Sequence, residues 1–239
     1  MSYTTNIAPS RRSLLRFAIS AACLRLGNNF VDAKETSAPP KPGNVLSPDA
    51  ALKRLMEGNN RYVQSASRSD NFKRERQVLV DGQNPYAAVL SCADSRVAPE
   101  LVFDSGLGDL FVCRLAGNFA NDDTLASMEY AVSVLNTPLI LVLGHDHCGA
   151  IDATIKSLHE GRPPPGHIPS LVAALAPAVK EPLQQSGDTF ADAIRQNVFD
   201  NVTKLKSTGP ILNAAVERSR LKVVGGLYRL DTGRVDLLG

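Results

Sequence analysis

The chain has 239 residues, 44% of them hydrophobic and 21% charged, with a net charge of +2 at neutral pH. That is globular composition, long enough for one substantial domain with its own core, and it excludes a disordered or fibrous chain. The chain carries no long Lys/Arg stripe interleaved with aromatics and no apolar run near the roughly 20 residues that span a bilayer, so neither a nucleic-acid partner nor a stable membrane anchor is expected.

Residues 1–33 stand apart from the rest. Met1 to Val31 contains no Asp or Glu, and Arg11, Arg12, Arg16 and Arg25 surround the short apolar run FAISAACL. This is the composition of a targeting segment. SRRSLL at 10–15 reads as a twin-arginine signal with a cleavage point after Ala33, which implies export to a bacterial periplasm. An organelle transit peptide (mitochondrion or plastid) and the plain tail of a cytoplasmic protein are the competing readings. Residues 34–46, including ETSAPPKPGNV, read as a flexible Pro-rich linker. Residues 47–239 are the expected folded domain.

Ser47, Pro48 and Asp49 form a helix start, and Leu52, Leu55, Met56 and Val63 then fall on one helical stripe. YAAVLSC at 86–92, LFVCR at 110–114 and PLILVLGH at 138–145 are continuous apolar runs, the pattern of strands buried on both faces. Between the last two, Leu125, Met128, Val132 and Leu135 have helical spacing. Helices are expected to dominate 148–220, and the chain closes as a strand and hairpin turning at residues 231–233. The alternation predicts an α/β fold with a largely parallel central β-sheet flanked by helices.

Two polar motifs sit at the carboxyl ends of expected strands, where open α/β sheets bind ligands. In SCADSRV, an extended chain would put Cys92, Asp94 and Arg96 on one face. In GHDHCGA, His145 and Cys148 can grip one ion if the chain turns into a helix right after His145. Thiolate, imidazole and carboxylate are a zinc donor set. Two buried small hydrophobes, or a disulfide, are the alternatives for the cysteines. Cys113, mid-strand with no polar neighbour, is expected in the core.

CADSR followed by GHDHCGA resembles the paired zinc motif of the β-class carbonic anhydrases, Cys-x-Asp-x-Arg and His-x-x-Cys. GLGDLFVCRLAGN at 106–118 is similar to the family's stretch between the two halves, and the likeness covers 48–239. It implies Zn2+ held by Cys92, His145 and Cys148. Asp94 matches a carboxylate that either takes the fourth position or pairs with Arg96 and orients a zinc-bound water. The implied reaction is reversible hydration of carbon dioxide to bicarbonate and a proton. A hydrolase of carbon disulfide or carbonyl sulfide, and a non-catalytic structural zinc module, are the rival functions.

With less specific motifs, Gln83 matches an amide that binds substrate oxygen and Phe111 and Tyr130 match apolar walls, with core or interface packing as their alternative. Gly149 offers a backbone N–H, and Ala116 stands where some members have Val. The resemblance implies a homodimer or higher homo-oligomer with both copies contributing to each pocket. Members inhibited by bicarbonate carry a Trp three residues before the first Cys. Val89 stands there and the chain has no Trp, although Arg114 and Tyr130 match the Arg and Tyr accompanying it, so Asp94 is expected on Arg96 with no bicarbonate lock. His147, His159 and His167 are expected at the surface, proton relay being their alternative role.

Overall fold

A computed structural model describes residues 38–68, 72–184 and 187–239, so the expected targeting segment lies outside the described residues. Helix α1, Pro48–Val63, starts as its sequence dictates: Ser47 Oγ accepts from the Ala50 N–H, and Pro48 and Asp49 occupy the first turn. There follow α2 (Phe72–Val78), β1 (Ala87–Ser91), α3 (Pro99–Val102), β2 (Leu110–Arg114), α4 (Asp122–Ser133) and β3 (Leu139–His145). Helices α5 (Gly149–Glu160), α6 (Ile168–Lys180), α7 (Thr189–Ser207) and α8 (Leu212–Glu217) precede β4 (Lys222–Tyr228) and β5 (Val235–Leu238).

The sheet order is β2-β1-β3-β4-β5, parallel except for the final hairpin, in which β5 runs antiparallel to β4. Strands β1 and β3 are buried throughout because helices cover both sheet faces. Alternation splits their side chains: Val89, Leu141 and Leu143 face α1, whereas Leu90, Ile140 and Val142 face α4 and α7 through Met128, Val198 and Leu205. Helix α7 lies close to the sheet because β3 and β4 present glycines beneath it. A Cβ at Gly144 would stand 2.6 Å from Val198 Cγ2, and one at Gly225 2.7 Å from Val198 Cγ1.

Two expectations change. Strand β2 is an edge strand, so Phe111 and Cys113 are half-buried against the core and not enclosed on both faces. The described part of the expected linker is not a free tether. The Lys41 N–H donates to Asn84 Oδ1 at 3.0 Å, Asn84 Nδ2 donates to Lys41 O at 2.8 Å, and Lys41 Nζ lies 2.6 Å from Asp109 Oδ1. Buried Asn44, in the short 3-10 turn Pro42–Asn44, also donates to Asp109. The compact unit begins at Pro39, before the residue 47 expected from sequence.

Candidate metal centre

Parallel pairing of β1 with β3, in a register that sets Ser91 beside Leu143, brings the carboxyl ends of both strands together. Cys92 leaves β1 one residue past its end, His145 closes β3, and Cys148 is the residue before α5. Their donor atoms lie within 4.8 Å of one another, all three residues are buried, and the cysteines are free. His145 Nδ1 is 2.7 Å from the Asp146 carbonyl. A carbonyl can only accept, so Nδ1 carries the proton and Nε2 presents its lone pair; Nε2 is buried with no hydrogen-bond partner. Two sulfurs and an orphaned imidazole nitrogen in one buried spot fit zinc.

The helix does not start directly after His145, as the sequence spacing requires for an (i, i+3) grip. Asp146 and His147 form an intervening turn, with His147 in the left-handed region at φ 51°, and α5 begins at Gly149. This turn, not a helical face, brings Cys148 back toward His145. Cys148 then sits where the amides of Ala150 and Ile151, at the positive end of α5, favour its thiolate. The Cys148 S–H is held toward Cys92, which together with burial pushes the Cys148 thiol up. The same contact, helped by His145 and by the Gly117 N–H 3.3 Å from Sγ, pulls Cys92 well below the usual thiol range against the cost of burial. Burial opposes a charge on His145, but Cys92, the Asp146 carbonyl and Asp94 together move its pKa up.

Asp94 and Arg96 meet through a turn, because β1 has ended at Ser91. The Arg96 N–H donates to Asp94 Oδ1 at 2.9 Å, as an Asx turn does. The guanidinium adds Nε to Oδ1 at 2.9 Å and Nη2 to Oδ2 at 2.8 Å. These bonds hold the Asp94 carboxyl well below the usual carboxylate range although partial burial opposes them. Asp94 Oδ2 stands 3.9 Å from His145 Nε2, so the ion pair borders the sulfur–nitrogen cluster.

The remaining sequence candidates divide. Gly149, first residue of α5, is exposed with open space where a Cβ would stand. Phe111 and Tyr130 form a ring pair at 6.4 Å, and Tyr130 is 47% exposed on α4. Gln83 is exposed on the loop entering β1, at the sheet end opposite the metal ligands. Val89 is core. His147 and His167 are exposed, as is His159 in the last turn of α5.

Three residues that support the centre escape the motif reading. The resemblance places Arg114 only in a bicarbonate trio, yet its Nε donates to Cys92 O at 3.1 Å and its Nη2 to Asp94 O at 2.8 Å, clamping the ligand loop. Gly117, at φ 88°, points its N–H at Cys92, and a Cβ there would meet Leu175 Cδ1 at 2.7 Å. The Asp146 carbonyl accepts the hydrogen bond from His145 Nδ1. All three make contacts with, or by, the backbone, which leave no residue-type pattern.

Comparison with known proteins agrees with this geometry. The family model described as carbonic anhydrase matches residues 87–235. Carbonic anhydrase 2 of Mycobacterium tuberculosis is 38% identical over 192 residues, covering 80% of this chain and 93% of the relative. Carbonic anhydrase of Mycolicibacterium smegmatis is 39% identical over 193 residues with the same coverage. The solved structure of the β-carbonic anhydrase CcaA has a TM-score of 0.60 at 30% identity, covering 79% of this chain and 95% of that one. By its family match, its relatives and its fold, the chain belongs to the β-class carbonic anhydrases.

Proposed function

We propose that the protein catalyses the reversible hydration of carbon dioxide to bicarbonate and a proton. The observation that carries this reading is the Asp94–Arg96 pair set 3.9 Å from His145 Nε2, beside a three-donor metal centre. Three protein donors leave a fourth position, as catalytic zinc sites do. Zinc bound there supplies the Lewis acidity that brings the pKa of water toward neutrality. Asp94, ionised and acceptor-only, takes a hydrogen bond from the reacting water at Oδ2 and so turns the oxygen lone pair toward carbon dioxide. Arg96 occupies both Asp94 oxygens and keeps the carboxylate off the metal, a device a closed structural site would not need. Gly149, exposed in the first turn of α5, offers a backbone N–H as a donor for a product oxygen.

Arg114 commits Nε to Cys92 O and Nη2 to Asp94 O, which ties its guanidinium to the ligand loop. With Val89 in the core where regulated members carry Trp, this supports an enzyme that bicarbonate does not lock. Homodimerisation is supported by the exposed Phe72, Leu101 and Leu107, which line one groove with Leu110 of the edge strand β2. Export rests on the Arg-rich, acid-free stretch ahead of residue 32; recovery of only full-length chain in cytosol would refute it.

The deciding experiment is stopped-flow carbon dioxide hydration across pH on protein of known zinc content, wild type beside Asp94→Asn. Fast turnover that rises with pH and drops by about 100-fold or more in the variant is expected. Stoichiometric zinc with no turnover at any pH would refute the reading and turn attention to carbon disulfide.

A further inference from the structure

Every polar group of Asp146 is engaged, and each partner lies on a different part of the site. Its N–H donates to Tyr228 O at 3.1 Å, at the end of β4. Its carbonyl accepts from His145 Nδ1 at 2.7 Å. Its carboxylate Oδ1 accepts from the Leu230 N–H at 3.0 Å, in the turn between β4 and β5. The next residue, His147, holds φ 51°, a left-handed conformation that is costly for a non-glycine residue. The His147 carbonyl in turn receives Arg96 Nη2 at 3.3 Å. The two carbonyls of this turn therefore face the metal's histidine and the arginine of the ion pair.

We infer that Asp146 is the positioning residue of the metal-ligating histidine: its carboxylate, fastened to the β4–β5 turn, holds its own carbonyl on His145 Nδ1 and thereby aims Nε2 at Cys92 and Cys148. The physical case rests on what would follow without the carboxylate. The left-handed turn would lose its anchor to Leu230 and keep the Asp146 N–H bond to β4 and the long Arg96 bond to the His147 carbonyl. It could then relax toward a cheaper conformation, carrying the carbonyl off Nδ1 and freeing the imidazole to rotate. Histidine ligands depend on such an outer acceptor, and its loss typically weakens metal binding about 10–100-fold. The needed group is an oxygen acceptor, not a charge, because its partner is a neutral backbone N–H.

This inference rests on the zinc reading of the centre, and one set of measurements separates their failures. Zinc affinity is measured by chelator competition on full-length wild type, Asp146→Ala and Asp146→Asn, with the visible spectrum of the cobalt(II)-loaded forms and the melting of the metal-free forms. Asp146→Ala is expected to lose about 10–100-fold in zinc affinity and to shift the cobalt bands, with metal-free melting close to wild type. Asp146→Asn keeps an oxygen acceptor and should stay within about threefold of wild type, a rescue that a purely electrostatic role would not give. If Asp146→Ala does not fold, Asp146→Glu, whose longer arm misplaces the acceptor, is expected to lose affinity in its stead. Wild type that binds zinc one to one while the Ala or Glu variant binds equally tightly overturns this inference alone, as does an Asn variant impaired like Ala. Wild type without stoichiometric zinc overturns the centre and this inference together.

Discussion

Arg96 spends three donors on one carboxylate, and the consequence is a carboxylate whose charge does not respond to pH in the working range. The folded pKa of Asp94 is depressed, chiefly by the Arg96 hydrogen bond. A depressed carboxylate contributes stability that is present above its unfolded value of about 3.9 and is lost as pH falls through the folded value, so the pair is intact at neutral and alkaline pH. A rise of rate with pH in that range therefore reports the reacting water, not Asp94. Arg96→Gln removes the ionic clamp and lets the carboxylate approach the metal as a fourth donor. Hydration is expected to fall about 10–100-fold while zinc is retained, checked by stopped flow and metal analysis on the same sample. Full activity in Arg96→Gln would contradict the orienting role. The metal donors and this pair were legible in the sequence because Cys, His, Asp and Arg carry their chemistry in their side chains. Arg114, Gly117 and Asp146 were not, because what they contribute is contact with, or by, the backbone.

Elements were legible where local chemistry and burial agree. Helix α1 has its cap and its stripe, α4 has a capping box between Asn121 and Thr124, and β1 and β3 are uninterrupted apolar runs. Helix α2 buries no residue and so has no stripe to read, and the half-burial of β2 follows from sheet order, which periodicity does not encode. Packing between elements is equally silent in the sequence until the structure shows a close approach. Gly58 in α1 lies against the backbone of Phe103, just past α3, where a Cβ would stand 1.9 Å from the Phe103 carbonyl oxygen. Alanine there gains up to about 1 kcal/mol of helix propensity. It also forces a helix away from a fully buried residue whose backbone cannot yield as a side chain would. Overpacking of this kind costs about 1–3 kcal/mol, and here the contact is with main chain, so the loss wins. Gly58→Ala is expected to melt about 2–8 °C below wild type in calorimetry. An unchanged melting temperature would mean that α1 can slide on α3 without loss.

At the scale of the whole molecule, Gln83 sets the sharpest constraint. It lies four residues before β1, while Cys92 lies just past the other end of that strand. Five strand residues at about 3.3 Å each separate those ends by about 17 Å, several times the reach of a glutamine side chain. If Gln83 binds substrate, as the family resemblance implies, it does so in the site of a second copy. That arrangement has a test which needs no structure of the assembly. In a mixed dimer of a Gln83→Ala chain with an Asp94→Asn chain, one site carries both defects. The other has Asp94 from the first chain and Gln83 from the second, and is intact. Two poorly active parents, once mixed and re-equilibrated, should thus produce dimers with about half the wild-type hydration rate, well above either parent alone. If Gln83 served its own chain, each site would keep one defect and mixing would restore nothing. A mixture no more active than the mean of its parents, although exchange of labelled chains is seen, would place Gln83 outside the reaction or in its own subunit.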